Sequence, residues 1–339
     1  MKKVAIVGFG FMGKAHCAAW NKCRGAKVVA ICDACLSQLT AKVKGNIKGA
    51  AGGQVPKSAK VYTDFNEMLA AGGFDIVDIT LPTALHPSTA IAALKAGYHV
   101  LCEKPMALDL KDCDRMLAAA KSAKRELLIA QCVRFFPENA YVRELVESGR
   151  YGKVITADLS RFIAPPKWYP KGVDWFFDET KSGGLMYDVH VHDLDYIAGT
   201  FGRPESLTAS VHRNGKGFVD HLTATYYYKD ALITCSSSLA AASSLVWEAS
   251  GRIFFEKATV YFGPFYKTPL TVYPDEGKPF TPKLSSKTGY EAEIEYFLKM
   301  VEGKAQKRIL TAQDARDAIA ILNLERKSSL TGKRLTVKV

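Results

Sequence analysis

Three polar clusters, in a fixed order along the chain, hold the residues that can do chemistry. The first is Gly8-Phe9-Gly10-Phe11-Met12-Gly13, which follows an apolar run and opens a helical pattern. Glycines at this spacing permit a tight turn and close backbone approach to a pyrophosphate. The helix N-terminus then offers the anion unpaired N–H groups and a positive dipole end. Asp33 stands twenty residues past Gly13, at the end of the next apolar run. A carboxylate there accepts hydrogen bonds from an adenosine ribose and repels a 2′-phosphate, so NAD is expected and NADP disfavoured.

The second cluster, Glu103-Lys104-Pro105, closes the apolar run Tyr98–Cys102. Pro105 restricts Lys104 to extended geometry. A lysine aimed into a cofactor cleft hydrogen-bonds a substrate oxygen and stabilises negative charge developing on it. The bland alternative is a surface lysine paired with Glu103. The third cluster is Gly183-Gly184-Leu185-Met186-Tyr187-Asp188-Val189-His190-Val191-His192-Asp193. Residues four apart lie about 40° apart around a helix. Asp188, His192 and Asp195 therefore share one face, while Tyr187, Val191, Leu194 and Ala198 form an apolar stripe. His190 points away from His192, so the pair cannot chelate one ion and no metal site is expected. Asp188 is placed to orient His192 and to stabilise its protonated form. A nucleotide cradle, a cation and an imidazole–carboxylate pair are the inventory for moving a hydride off a hydroxyl-bearing carbon.

Alternating elements must position these groups. Val4–Gly8, Val28–Cys32, Phe74–Thr80, Tyr98–Cys102 and Leu127–Cys132 are short apolar runs of buried-strand length, with a third strand near Val61-Tyr62. Helical stretches at Phe11–Asn21, Pro87–Lys95 and Asp109–Lys124 separate them, a pattern of parallel βαβ units covered on both faces. The Gly-, Ala- and Lys-rich segment Gly45–Lys60 is read as a long surface loop. Ligands of such sheets bind outside the carboxyl ends of the strands, so Thr80-Leu81-Pro82 should border the cofactor. His86, just before Pro87, reads as a local cap on that border in preference to a catalyst.

A helix is expected from Pro137 to about Gly149, and then the texture changes. Lys153–Ile163, Ser206–His212, Leu222–Tyr228, Ala231–Leu239, Leu245–Ser250 and Arg252–Phe262 read as strands in series. Helices are expected at Gly184–Ala198, Tyr290–Glu302 and Ala312–Ser329. The expected fold class is α/β: an N-terminal Rossmann doubly wound parallel sheet, residues 1–124, and a C-terminal α/β domain with a large open, mostly antiparallel sheet, residues 125–339. The last helix is expected to pack back on the first domain. Trp168, Tyr169, Trp175 and Phe176 precede the third cluster; they fit stacking on a sugar or nicotinamide and ordinary domain packing equally well.

The bulk numbers bound the partners. The chain has 339 residues, a formal net charge of +12 and eight cysteines, seven of them before residue 133. Cys32-x-x-Cys35 lacks the second pair that a zinc site needs. Free thiols throughout suit a reducing cytoplasm. The lysines are dispersed without a helix-turn-helix or aromatic context, which argues against nucleic acid. No apolar run approaches the roughly 20 residues that span a bilayer, which argues against a membrane role. The opening Met1–Val7 is read as a first strand feeding the phosphate turn and not as a leader.

These residues resemble the glucose–fructose oxidoreductase / inositol dehydrogenase / rhizopine catabolism (Gfo/Idh/MocA) family over nearly the whole chain. The likeness rests on Gly8–Gly13 with His16, Thr80-x-Pro82 with His86, Gly97–Pro105, Arg134-Phe135 with Pro137, Ser148-Gly149 with Gly152, and Gly183–Asp195. It implies NAD(P)-linked oxidation or reduction of a sugar, polyol or derivative, and a homodimer or homotetramer built through the C-terminal sheet. It implies Lys104, Asp188 and His192 as the catalytic set, with His192 as base. The cofactor set adds Gly8, Gly10, Phe11, Met12, Gly13, Asp33, Thr80, Leu81, Pro82, His86, Glu103, Gln131 and Trp175. The substrate set adds Arg134, Trp168 and Tyr169. Thr83, His190 and Phe176 stand where many members have Asn, Gly and Arg. Two other readings compete with the dehydrogenase: a glycoside-cleaving enzyme that retains NAD and works by transient oxidation and elimination, and a non-enzymatic NAD-binding regulator.

Overall fold

The computed structural model describes residues 1–41, 53–164, 178–245, 247–263, 268–305 and 307–339. Strands β1 (Lys2–Val7), β2 (Ala26–Cys32), β3 (Lys60–Tyr62), β4 (Ile76–Ile79), β5 (His99–Glu103) and β6 (Leu127–Ala130) make the first sheet. They alternate with helices α1 (Phe11–Lys22), α2 (Ser37–Thr40), α3 (Phe65–Ala71), α4 (His86–Lys95) and α5 (Leu110–Ala123). All pairings are parallel, in the order β3-β2-β1-β4-β5-β6. This is the dinucleotide-binding order, and it puts the ends of β1, β4 and β5 side by side at one edge. Val4–Val7 of β1 and all of β4 are buried, as strands covered on both faces must be. The helix starts are set by side chains: Asp64 accepts the Glu67 N–H and Asp109 accepts the Asp112 N–H.

After helix α6 (Pro137–Ser148), strand β7 (Val154–Ile163) and helix α7 (Glu179–Ser182) comes a π-helical turn, Met186–His190, which runs into α8 (Val191–Phe201). Strands β8 (Ser206–Arg213), β9 (Val219–Tyr227), β10 (Leu232–Ser238), β11 (Trp247–Phe255), β12 (Ala258–Phe262) and β13 (Leu270–Pro274) follow. Helices α9 (Gly289–Val301) and α10 (Ala312–Thr331) and the short β14 (Leu335–Thr336) end the chain. The second sheet has eight strands, ordered β13-β12-β11-β7-β10-β9-β8-β14. Every pairing is antiparallel except β7 with β10. Along β7 the odd positions from Ala157 to Ile163 are buried, while Thr156, Asp158, Ser160 and Phe162 stay partly open.

Three details differ from the sequence reading. Gly251 does not end a strand: β11 runs through it, with Gly251 between Leu159 and Phe262, and the turn comes at Glu256-Lys257. A Cβ on Gly251 would lie 2.5 Å from the Phe262 ring, so this glycine makes room for an aromatic neighbour. Strand β13 escaped notice because five residues beside a stretch of Pro and Lys carry little periodicity. The boundary between compact units also falls differently. One unit is Met1–Phe135 with Lys287–Arg316, and the other is Phe136–Ser286 with Asp317–Val339. β6 belongs to the first sheet through its pairing with β5, which carries that unit past residue 124. Within it, Tyr296 of α9 stacks on Phe135 and bonds the Leu310 carbonyl, and Arg316 in α10 bonds Asp114 of α5.

In the second unit α10 holds the π-helical turn from behind. Asn323 accepts from Tyr187 at 2.7 Å, and Glu325 accepts from Tyr226 of β9 at 2.6 Å. The His190 Nε2 lies 3.2 Å from both the Tyr226 hydroxyl and Glu325, and its Nδ1 lies 2.9 Å from Ser237 of β10. His190, Tyr226 and Glu325 are all fully buried. Replacing Glu325 with Ala leaves buried partners without their acceptor, and should cost about 3 kcal/mol of stability. Urea unfolding followed by circular dichroism measures this; a loss under about 1 kcal/mol would mean the anchor is unimportant.

Candidate active site

The N-terminal half-site is the carboxyl edge of the parallel sheet. The turn after β1 is shaped by contact: a Cβ on Gly13 would lie 2.1 Å from the Gly8 carbonyl oxygen, so α1 packs on the turn only with glycine there. Thr80 closes it from β4, its hydroxyl donating to the Gly8 carbonyl at 2.7 Å. Gly10 differs, since among the described residues nothing lies within 4 Å of where its Cβ would be. It caps α1 with no side-chain bond, and the first turn of α1 carries no acidic residue. The amides of Phe11, Met12 and Gly13 therefore begin the helix without a side-chain cap or a nearby acidic residue, which fits a pyrophosphate.

Asp33 sits beside this turn, its carboxylate accepting the Phe9 N–H at 2.6 Å and the Cys35 N–H at 2.8 Å. Two backbone donors fix the group and leave lone pairs for ribose hydroxyls. Lys14 is a residue that sequence reasoning passed over. Its ammonium is buried against the Ala41 carbonyl, and burial lowers its pKa, partly opposed by attraction to Asp33.

Glu103 and Lys104 end β5 at the same edge. Glu103 is buried, and its Oε2 accepts the Lys104 N–H at 3.0 Å. Its Oε1 meets the His16 Nε2 at 3.0 Å, and the His16 Nδ1 lies 3.0 Å from both oxygens of Asp78 on β4. Trp20 donates to Asp78 at 2.7 Å. Burial by itself would lower the His16 pKa, but the attraction and hydrogen bonds of Asp78 and then Glu103 raise it well above the ordinary value. Burial would raise the Glu103 pKa, and the His16 bond and charge, with Lys104, bring it below the usual range. Asp78 and Trp20 had no place in the sequence reading. The one visible signal was an acidic residue inside the apolar run Phe74–Thr80.

Two expected ligand contacts are occupied by the fold. His86 is buried with Nδ1 2.8 Å from the Pro105 carbonyl and Nε2 2.8 Å from the Leu81 carbonyl, so the ring ties the β4 loop to the β5 loop. Arg134 is buried too, its guanidinium bonding the Ile309 carbonyl at 3.0 Å and lying 3.5 Å from Asp314. Gln131, just after β6, is buried, and its Oε1 meets no hydrogen-bond partner among the described residues. An orphaned amide oxygen at this edge fits an amide donor from a bound nucleotide.

The C-terminal half-site is the π-helical turn and the start of α8. Gly183 has φ of +76° and lies against Tyr187, whose Cβ would be 2.4 Å from a side chain there. From Leu185 to Ala198 every residue is buried except Asp188, His192 and Ala198. The helix therefore leaves one carboxylate and one imidazole partly exposed, four residues apart, with the His192 Nδ1 itself buried. Asp195, expected on that face, is fully buried instead. Asp193 clamps the neighbourhood: Arg161 of β7 donates to both its oxygens, at 2.6 and 2.8 Å, in a buried bidentate pair. His190 is committed to the anchor described above. Trp168, Tyr169, Trp175 and Phe176 lie outside the described residues.

Comparison with known proteins agrees with both halves. Residues 2–131 match the model of the oxidoreductase family with NAD-binding Rossmann fold, and residues 139–261 match the GFO/IDH/MocA C-terminal domain. The chain belongs to this family. D-glucoside 3-dehydrogenase of Escherichia coli is 30% identical over 243 residues, 68% of this chain and 65% of that one. Inositol 2-dehydrogenase of Salmonella paratyphi B is 28% identical over 197 residues, 58% of this chain and 53% of that one. The chain thus spans about half to two thirds of such curated relatives. Among solved structures, the WlbA dehydrogenase of Bordetella pertussis, in complex with NADH and UDP-GlcNAcA, has a TM-score of 0.82 at 24% identity, covering 99% of both chains. Aldose–aldose oxidoreductase of Caulobacter crescentus has a TM-score of 0.82 at 21% identity, again over 99% of both. At such identity these structures share the fold.

Two outcomes follow from the N-terminal half-site. Gly10→Ala should keep the melting temperature but weaken NAD⁺ binding in calorimetry, whereas Gly13→Ala should lose about 1–3 kcal/mol of stability through overpacking. Equal effects at the two positions would contradict the cradle. The raised His16 pKa contributes stability in full below about pH 6.5 and loses it as pH climbs through the folded value. The lowered Glu103 pKa contributes above about pH 4.5 and fades as pH falls. The melting-temperature gap between wild type and His16→Gln should therefore be widest between about pH 4.5 and 6.5 and narrow above it. A gap that widens toward alkaline pH would reverse this assignment.

Proposed function

We propose that the protein is an NAD-dependent dehydrogenase that moves a hydride between nicotinamide and a hydroxyl-bearing carbon of a sugar, polyol or sugar derivative. The observation that carries the reading is the pairing of Asp188 and His192 as the open polar groups of an otherwise buried helix. It is joined by the N-terminus of α1, which carries no side-chain cap and no acidic residue in its first turn. When bound, NAD supplies the hydride acceptor.

The chain's own residues divide the remaining work. The α1 N-terminus and Gly10 receive the pyrophosphate, and Asp33 holds the adenosine ribose and disfavours NADP. Gln131 offers its amide oxygen to the nucleotide. His192 takes the hydroxyl proton as the carbon is oxidised, and Asp188 orients the imidazole and stabilises its charged form. Lys104 hydrogen-bonds the reacting oxygen and stabilises charge developing there. The elimination and regulator readings have no specific observation in their favour, and relatives named glucoside and inositol dehydrogenase support the redox reading.

The partly open face of the second sheet, with Thr156, Asp158, Ser160 and Phe162 along β7, supports assembly as a homodimer or homotetramer. The absence of disulfides among eight cysteines supports a reducing cytoplasm. Among the described residues no helix is long and apolar enough to cross a membrane.

The test is a sugar and polyol panel read as NADH absorbance, repeated with variants on the substrate it finds. His192→Ala and Lys104→Ala should each lower kcat by roughly 10²–10⁴-fold while NAD⁺ still binds. Near wild-type turnover in both variants would sink the mechanism.

A further inference from the structure

The buried cluster beneath Lys104 is more elaborate than a strand end requires. His16 lies one turn inside α1, fully buried, with both ring nitrogens facing carboxylates: Nδ1 at 3.0 Å from Asp78 and Nε2 at 3.0 Å from Glu103. A neutral imidazole has a single N–H, and only the imidazolium can donate to both. Asp78 is held a second time by Trp20 at 2.7 Å. Glu103 is divided between two tasks, one oxygen on the ring and the other on the Lys104 N–H at 3.0 Å. The connection from the ring to Lys104 is continuous: His16 holds the Glu103 carboxylate and Glu103 holds the Lys104 backbone, while Trp20 bonds Asp78 on the far side of the ring.

We infer that His16 is a positioning residue for Lys104, acting through the Glu103 carboxylate. The inference rests on the reading of Lys104 as the active-site ammonium and goes beyond it, by naming what sets that ammonium in place. Stability alone is a poor reason for the cluster, because buried ion groups seldom outperform apolar packing of the same volume. Two carboxylates and one imidazolium also fix geometry in a way apolar side chains cannot. The bridge joins the helix that starts at the nucleotide turn to the strand that ends at Lys104, so both are set by one ring. The other titratable groups nearby do not form such a link. Tyr290 of α9 stands with its ring 6.4 Å from His16 and its hydroxyl proton retained through burial. The thiols of Cys17 and Cys102 are also kept protonated by burial, with the adjoining carboxylates adding to it.

The two ring nitrogens can be removed separately. His16→Gln places an amide donor near the Nε2 position and keeps a bond to Glu103. His16→Asn places one near Nδ1, keeps the bond to Asp78, and releases Glu103. The first readout is hydrogen–deuterium exchange of the Lys104 amide in the full-length protein, which needs no substrate; Pro105, next in the chain, has no amide to confuse it. Exchange should speed up by about tenfold or more in His16→Asn, the equivalent of one lost hydrogen bond to a charged group, and much less in His16→Gln. On a substrate from the panel, kcat should be about tenfold higher in the Gln variant than in the Asn variant, with similar KM. Trp20→Phe is the control: it loosens Asp78 but spares the bridge, so it should lower the melting temperature with little change in Lys104 exchange.

Equal exchange and equal kcat in the Gln and Asn variants would overturn the inference, as would a Trp20→Phe effect on Lys104 as large as that of His16→Asn. If Lys104→Ala keeps full turnover, the reading of Lys104 falls on its own. The exchange comparison still decides whether His16 holds that backbone.

Discussion

Two carboxylates buried near one another in a parallel sheet repel unless a proton or a cation stands between them, and the first unit is organised around that constraint. Asp78 and Glu103 occupy neighbouring strands, β4 and β5, and neither has access to water sufficient to solvate a charge. His16 supplies the cation from α1. Because α1 begins at the phosphate turn, the turn, the helix and the two strand ends form one bonded assembly. The ring must sit where it does for the sheet to keep its charges, and the glycine contact between Gly13 and Gly8 lets the helix come close enough.

The second unit solves the same kind of problem with different parts. Its helix is almost wholly buried, yet it must open a carboxylate and an imidazole to a ligand. The π turn lies just before His192, and polar side chains from elsewhere in the unit anchor it. Arg161 grips Asp193 from the sheet, and Asn323 and Glu325 of α10 reach Tyr187 and His190. These partners come from positions far apart in the chain. The residues that look most chemical by type, His190, Asp193 and Asp195, are thus buried within the fold, and the open pair is Asp188 with His192.

Both units keep a few polar groups partly exposed while committing the rest to internal bonds. The N-terminal edge has a helix start without an acidic first turn and a buried amide oxygen with no partner among the described residues, and the C-terminal helix leaves Asp188 and His192 partly exposed. Membership of an NAD-binding oxidoreductase family fits this distribution. His86 and Arg134, though chemically capable, bond backbone carbonyls of neighbouring loops.

What the sequence determined by itself was local. The Gly8–Gly13 spacing, the run of short apolar strands and the Asp188–His192 interval follow from backbone geometry and period, which a single stretch of chain contains. So the parallel sheet and the tight glycine turn after its first strand were legible. Tertiary structure alone decided which ionisable groups are spent on the fold. Nothing near His16 in the chain announces Asp78 or Glu103, 62 and 87 residues away. Nothing near His190 announces Glu325. Gly251 read as a break because its neighbour Phe262 was invisible in the local pattern. Burial and pairing are long-range properties: a carboxylate's role depends on what the fold sets against it, and that is fixed only when distant strands and helices meet.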